Sequence, residues 1–183
     1  IAAINLGLAM VPEERKLQGL LLGFPVEQNI SLAVLIRLTK YGFLDARGEG
    51  AVSERQIKAL NIKTPSGKTR IRTLSGGNQQ KAILGRWLEM KPRILVMDEP
   101  TKGIDVGAKY EIYLLMKKIV EDGGSIILIS SELPEVLNMS NRINTMSGGT
   151  TEVRTSMPRF FHSCAAFDGA AGKGRTATDA TAG

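Results

Sequence analysis

Two short runs hold the residues best suited to phosphate chemistry. Leu74 to Lys81 reads LSGGNQQK. A serine and two glycines there open a stretch of helical period. Glycines at a helix N-terminus let backbone N–H groups approach an anion closely, and the helix dipole adds attraction. The Ser75 hydroxyl is a further donor. Ile94 to Gly107 reads ILVMDEPTKGIDVG. Its apolar start predicts a strand, with Asp98 and Glu99 delivered at the C-terminal end, where open parallel sheets gather ligands. Hydrolysis of a nucleoside triphosphate needs a cation on the phosphates and a group that orients or deprotonates the attacking water. Asp98 suits the cation through a water, because magnesium retains several waters, and Glu99 suits the attacking water. The plain alternatives are a helix cap at Ser75, a strand-end turn before Pro100, and an N-cap at Asp105 before Ala108.

The elements that must position these residues follow from period and punctuation. An apolar stretch closed by Pro12 and the charges of VPEERK predicts a strand running into a loop. Residues 27–40 predict a helix with Ile30, Val34 and Leu38 on one face, capped by Asn29 or Ser31. Residues 52–60 predict a shorter helix capped by Ser53, and residues 61–73 an irregular connection. Residues 78–90 predict the helix after LSGG, with Ile83, Leu84, Trp87 and Leu88 on its apolar face and Pro92 as its stop. Arg93 to Met97 predicts a strand buried on both faces. Ala108 to Val120 predicts a helix through Ile112, Leu115 and Ile119, ended by Gly123 and Gly124. Ser125 to Ile129 is the next strand, which makes a βαβ unit in a parallel sheet. A helix over Pro134 to Met139 and a strand over Arg142 to Met146 complete the series.

The strings VPEERK (11–16), EQNISL (27–32), LSGGNQQK (74–81), GRWL (85–88), DEPTKGIDVGAKYEIY (98–113) and ISSELPEVLNMSNRI (129–143) resemble the ATP-binding proteins of ABC transporters. They look most like the second, C-terminal ATPase domain of the ribose, galactose and xylose import branch. The resemblance spans about residues 1–146. It implies an α/β fold: part of a P-loop NTPase core with a parallel sheet, plus a helical subdomain at about 17–90 and a core at about 91–146. It implies ATP and Mg2+ as ligands, with Glu99 and Ser131 catalytic, Asp98 on the metal, and Ser75, Gly76, Gly77, Gln80, Asp105 and Glu13 contacting nucleotide. It also implies a second ATPase domain facing this one, a membrane permease, and indirectly a periplasmic sugar-binding protein. The expected place is the cytoplasmic face of the bacterial inner membrane. A soluble ABC protein of DNA repair or translation is the competing family reading, against which NQQK and DVGAK argue. A fragment without function is the competing reading of this chain.

Departures from the general pattern are specific. Glu13 stands where glutamine is usual, and Ser130-Ser131-Glu132 replaces the switch histidine. These changes match the second domain of the sugar branch and imply a weak composite site. No phosphate loop of the form G-x-x-x-x-G-K-[ST] is present. PSGKT at 65–69 has Ile62 where the first glycine belongs, and GAAGKG at 169–174 lacks a Ser or Thr after Lys173. The expectation is a chain truncated ahead of Ile1 that does not hydrolyse ATP alone.

Composition bounds the rest. The chain has 183 residues, 43% hydrophobic, with 24 Lys and Arg against 18 Asp and Glu. Charges of both signs alternate, as in EERK, and no basic run is interleaved with aromatics, so solvated helix faces explain the net charge of +6 better than nucleic acid does. No signal peptide is legible, and the most apolar window, near Ile30 to Ile36, is far short of the roughly 20 residues a bilayer needs. A lone cysteine, Cys164, excludes an internal disulfide and fits a reducing compartment. The character changes after about residue 150, and residues 165–183 are mostly Ala, Gly and Thr without a core-facing period. Residues 151–183 read as a disordered tail outside the family pattern, like a foreign reading frame.

Overall fold

The computed structural model describes residues 2–147 and 150–156. A short helix, α1 (Ala2–Asn5), precedes β1 (Leu8–Val11). After a wide helical turn at Arg15–Gly19 come α2 (Val26–Ser31) and α3 (Leu35–Leu38), linked by a tight 3-10 turn, then a small hairpin of β2 (Thr39–Lys40) and β3 (Phe43–Leu44). Next are α4 (Ala46–Ala59), α5 (Gly76–Leu88), β4 (Ile94–Asp98), α6 (Val106–Glu121), β5 (Ser125–Ile129) and α7 (Leu133–Met139). Two further strands, β6 (Arg142–Ser147) and β7 (Thr150–Ser156), form an antiparallel pair. Two compact units result, Ile1–Val136 and Leu137–Gly183. Strand β7 spans the position of the expected 150/151 boundary; residues 157–183, where most of the expected tail falls, lie outside the described residues.

In the first unit the sheet is parallel, in the order β1-β4-β5. Its register pairs Ala9 with Leu95, Val11 with Met97, and Met97 with Leu128. One face therefore carries Ala9, Val11, Leu95 and Met97, all buried, against which α5 and α6 pack. The opposite face carries Met10, Val96, Ile127 and Ile129, with Ile127 51% exposed. Burial on both faces was expected for β4. The structure buries Leu95 and Met97 on one face and leaves Ile94, Val96 and Asp98 half-buried, while β5 at the sheet edge alternates between half-buried and exposed residues.

The helical region departs from the expectation at its caps. The helix expected over 27–40 breaks at Leu32–Val34 and ends at Leu38. Neither Asn29 nor Ser31 caps it; both are fully buried. Asn29 Oδ1 accepts from the Leu21 N–H at 2.9 Å, while its Nδ2 donates to the Leu21 and Pro25 carbonyls. Ser31 Oγ donates to Glu49 at 2.7 Å. Helix α4 begins well before Ser53, at an Asp45 cap whose Oδ1 accepts from the Gly48 N–H at 3.0 Å. Two glycines in its first turns weaken the helical signal in the sequence. The stretch at 65–69 is a loop laid along the start of α2, with the Thr69 and Gly67 carbonyls accepting from Val26 and Glu27 N–H.

Helix α5 is buried far beyond its apolar stripe. Gln79, Gln80, Lys81 and Arg86 are buried together with Ile83 and Leu84. Lys81, 2% exposed, reaches the Asn61 carbonyl at 2.9 Å and Glu111 at 2.7 Å. Arg86 Nε donates to the Asn29 carbonyl at 2.7 Å and Nη2 to Asn29 Oδ1 at 3.3 Å. Burial lowers the Arg86 guanidinium to about 10.

Asn29→Leu should destabilise the chain by about 3 kcal/mol, because it orphans Leu21 backbone groups and one guanidinium N–H. Arg86→Met should cost less, about 1–2 kcal/mol, because it removes the buried charge while Asn29 Oδ1 keeps its bond from the Leu21 N–H. Chemical denaturation of both variants gives the comparison. A second expectation concerns acid. The Gly48 N–H, then the Lys40 charge, hold the Asp45 carboxyl below its ordinary value of 3.8. A depressed folded-state value means the cap stabilises above the unfolded value and is lost as pH falls through the folded one. Amide exchange at the start of α4 should therefore rise below about pH 4 and be insensitive to pH there in Asp45→Asn, a neutral cap.

Candidate functional site

The parallel register brings three chain segments to one edge. Met97 lies beside Val11 on one side and Leu128 on the other, and Asp98 beside Ile129. The residues that follow, Glu13, Glu99 and Ser131, therefore emerge together at the C-terminal edge of the sheet. Glu99 leaves the strand with φ +43, in the left-handed region that a side chain disfavours. That turn is fixed from both ends: its N–H donates to the Ile129 carbonyl at 2.9 Å, and its Oε1 accepts from the Ser131 N–H at 2.7 Å. The backbone of Ser131 thus aims the Glu99 carboxylate. The half-buried Asp98 carboxylate makes no hydrogen bond or ion pair among the described residues, and its acceptor lone pairs are open. No cluster of three or more His, Cys, Asp or Glu occurs there. One free carboxylate beside an aimed one fits a cation whose remaining ligands are water and phosphate.

Glu13 is engaged elsewhere. It pairs with Lys102 at 2.5 Å, and this hydrogen bond, followed by the Glu13 and Glu99 charges, raises the Lys102 ammonium above its ordinary value. Two residues on, Arg15 donates to the Lys102 and Gly103 carbonyls at 2.7 and 3.2 Å. The VPEERK segment thereby clasps the TKG turn. Neither Arg15 nor Lys102 stands out as a site residue in the sequence; the only signal is a basic residue in each of two motif strings. Beyond the turn, Thr101 Oγ1 donates to the buried Glu135 at 2.9 Å, and burial together with Glu135 raises the Tyr113 phenol. Lys109 holds Glu132 at 2.6 Å.

The LSGG segment lies against the same turn. Ser75 stands at the N-cap of α5 with its Oγ accepting from Asn78 Nδ2 at 2.9 Å, and no side-chain cap closes the first turn. The ordinary capping function is therefore absent at Ser75, which is exposed. Gly76 faces Arg15: a Cβ there would lie 2.9 Å from its Nη2. Gly77 is buried, and a Cβ there would lie 2.5 Å from the Ala108 Cβ. Close packing of α5 on α6 requires this glycine, a reason distinct from phosphate approach. Arg15, Lys16, Arg72, Gly76 and Gln79 line a cavity of about 310 Å³ with a positive rim. Gln80 does not join the set. It is 2% exposed on α5, away from the exposed Ser75. Asp105 acts as the N-cap of α6, its Oδ1 accepting from the Ala108 N–H at 2.9 Å, while its residue stays exposed.

Comparisons with known proteins place the chain among relatives. The family described as ABC transporter matches residues 4–102. The xylose import ATP-binding protein of Photobacterium profundum is 52% identical over 147 residues, 80% of this chain and 29% of that protein. The arabinose import ATP-binding protein of Rhizobium johnstonii is 47% identical over 160 residues, 87% of this chain and 32% of that protein. The ribose import ATP-binding protein of Yersinia pestis is 48% identical over 147 residues, 80% of this chain and 29% of that protein. The chain thus spans roughly three tenths of the length of these curated relatives. Among solved structures, an ATP-binding cassette in a dimeric post-hydrolysis state bound to ADP and Pi shares the fold, with a TM-score of 0.68, 22% identity, and coverage of 84% of this chain and 64% of that one.

Gly77→Ala should destabilise the chain by about 1–3 kcal/mol, the range for overpacking. Ala108→Gly in the same chain should restore most of that loss. Denaturation of the two single variants and the double variant yields the coupling energy; additive effects would show that α5 and α6 do not meet at this pair.

Proposed function

The chain belongs to the ABC transporter family, and from that premise we propose that it supplies the LSGG segment and the carboxylate strand of an ATPase that energises monosaccharide import. The observation that carries the proposal is the Asp98-Glu99 pair at the sheet edge, with Glu99 aimed by the Ser131 N–H and the Asp98 carboxylate left without a partner among the described residues. The sugar class rests on the printed activities of the xylose, arabinose and ribose relatives.

In this reading Glu99 orients and deprotonates the water that attacks the terminal phosphate. Asp98 is the residue that would hold a magnesium ion, which when bound would neutralise charge on the phosphates. Ser131 fixes the rotamer of Glu99 through its backbone. The open N–H groups at the start of α5, with Ser75 and Gly76, face a phosphate held by a second ATPase domain, and the positive rim of Arg15, Lys16 and Arg72 favours that anion. Asp105 lies in the turn that meets the second domain. Glu13 transmits the state of the edge through Lys102 to the TKG turn. We assign residues 1–150 to the ATPase domain and the stretch from 151 to a segment outside it. The partners proposed are a second ATPase domain, membrane permease subunits and, indirectly, a periplasmic sugar-binding protein, with no nucleic acid. The place proposed is the cytoplasmic face of the bacterial inner membrane. None of the described helices is long and apolar enough to cross a bilayer.

The sequence contains no phosphate loop, so the chain alone should release no phosphate from ATP above a Glu99→Gln control. In a chain extended with a phosphate loop, Ser75→Arg should abolish sugar import and leave nucleotide binding by this domain intact, because Ser75 faces the other domain's phosphate. Glu99→Gln should retain ATP and stop turnover. Equilibrium ATP binding and vesicle transport measure both; normal transport by Ser75→Arg would refute the assignment.

A further inference from the structure

The stretch from Ile36 to Leu44 concentrates exposed apolar surface. Ile36 is 89% and Phe43 80% exposed, Tyr41 is fully exposed, and Leu44 is open as well. Burial in the body of the protein explains none of them. Strands β2 and β3 pair Thr39 with Leu44 and Lys40 with Phe43, leaving Tyr41-Gly42 as a two-residue turn with φ +52 and +85. Such turns need left-handed backbone at both positions, which Asn, Asp and Gly adopt cheaply. A Cβ at Gly42 would meet nothing within 4 Å, so the tip projects into open space. An aromatic residue in left-handed conformation at such a tip opposes folding twice, through its backbone and through its exposed ring.

The base of the hairpin is held firmly. The Asp45 N–H donates to the Leu38 carbonyl at 2.8 Å, and Thr39 Oγ1 donates to the Leu35 carbonyl at 2.8 Å. Asp45 also caps α4 and contacts Lys40 at 3.5 Å. Three exposed cations lie in or beside the hairpin, Arg37 at the end of α3, Lys40 on β2 and Arg47 at the start of α4, against the single carboxylate of Asp45. Arg37 and Arg47 make no ion pair among the described residues.

We propose that the Tyr41-Phe43 hairpin is an interfacial anchor for an anionic lipid bilayer. Tyrosine and phenylalanine place their rings at the headgroup boundary, and flanking cations answer the negative surface. A projecting two-residue turn offers little area for a protein partner, since stable interfaces bury about 800 Å² a side. Lipid anchoring needs only a few rings and a basic flank. The inference stands on the hairpin alone and does not depend on the nucleotide assignment.

Flotation of the full chain with vesicles tests it. Binding is expected to equimolar phosphatidylcholine and phosphatidylglycerol, not to phosphatidylcholine alone, and it should fall in high salt. Tyr41→Ser with Phe43→Ser, and separately Arg37→Glu with Lys40→Glu, should each lower partitioning about tenfold or more. In Tyr41→Trp, emission should shift to shorter wavelength on adding the mixed vesicles, against the constant signal of the half-buried Trp87. Wild-type chain that ignores both vesicle types, serine variants that bind as wild type, or an unshifted Trp emission would each overturn the proposal.

Discussion

Helix α5 carries a full positive charge into the interior at Arg86, and no carboxylate meets it among the described residues. The charge rests on the two oxygens of one asparagine. Asn29 spends its remaining capacity on the Leu21 and Pro25 backbone. One residue, through its backbone carbonyl and its side chain, thus ties the guanidinium to the start of α2 and to the Leu21 backbone. Desolvation of an arginine is tolerable only when its donors are satisfied, so the approach of α2 to α5 is fixed by this node, and the loop that carries Glu13 and Arg15 hangs from it. Apolar packing around Ile30, Ile71 and Ile83 adds stabilisation, but it does not choose an angle as hydrogen bonds do.

The sequence was most legible where chemistry demands a residue type and where strands are short and apolar. Asp98 and Glu99 at a strand end, Ser75 at a helix start and the bounds Ser125–Ile129 follow from residue identity and period. Legibility fails where polar residues serve the interior. Periodicity assigns Asn29, Gln80, Lys81 and Arg86 to a wet face, whereas each is buried. Asn29 and Ser31 looked like caps because short polar side chains compete for local backbone groups; here tertiary partners, Leu21 and Glu49, win. The start of α4 was hidden by Gly48 and Gly50, since helix propensity has no knowledge of the Asp45 cap. Gly77 was legible as a glycine, but one of its neighbours was not. The sequence suggests an anion, and the structure adds the methyl of Ala108.

The sheet edge shows how strain and hydrogen bonding combine. Glu99 pays for its left-handed backbone with bonds to Ile129 and Ser131, both on the far strand and its extension. Its carboxylate therefore cannot be positioned by β4 alone. The β4–β5 register is part of the site, and a slip of one residue would turn Asp98 to the other face and detach Glu99 from Ser131.

Helix α5 is about 20 Å long at 1.5 Å per residue. It is pinned at its start by Gly77 on Ala108, in its middle by Lys81 on Glu111 and the Asn61 carbonyl, and near its end by Arg86 on Asn29. A rod clamped at three points along its length behaves as a stiff beam. It has no slack in which to absorb a displacement of the Ser75 end, so any push delivered there must reappear as a rotation of α2 and everything riding on it.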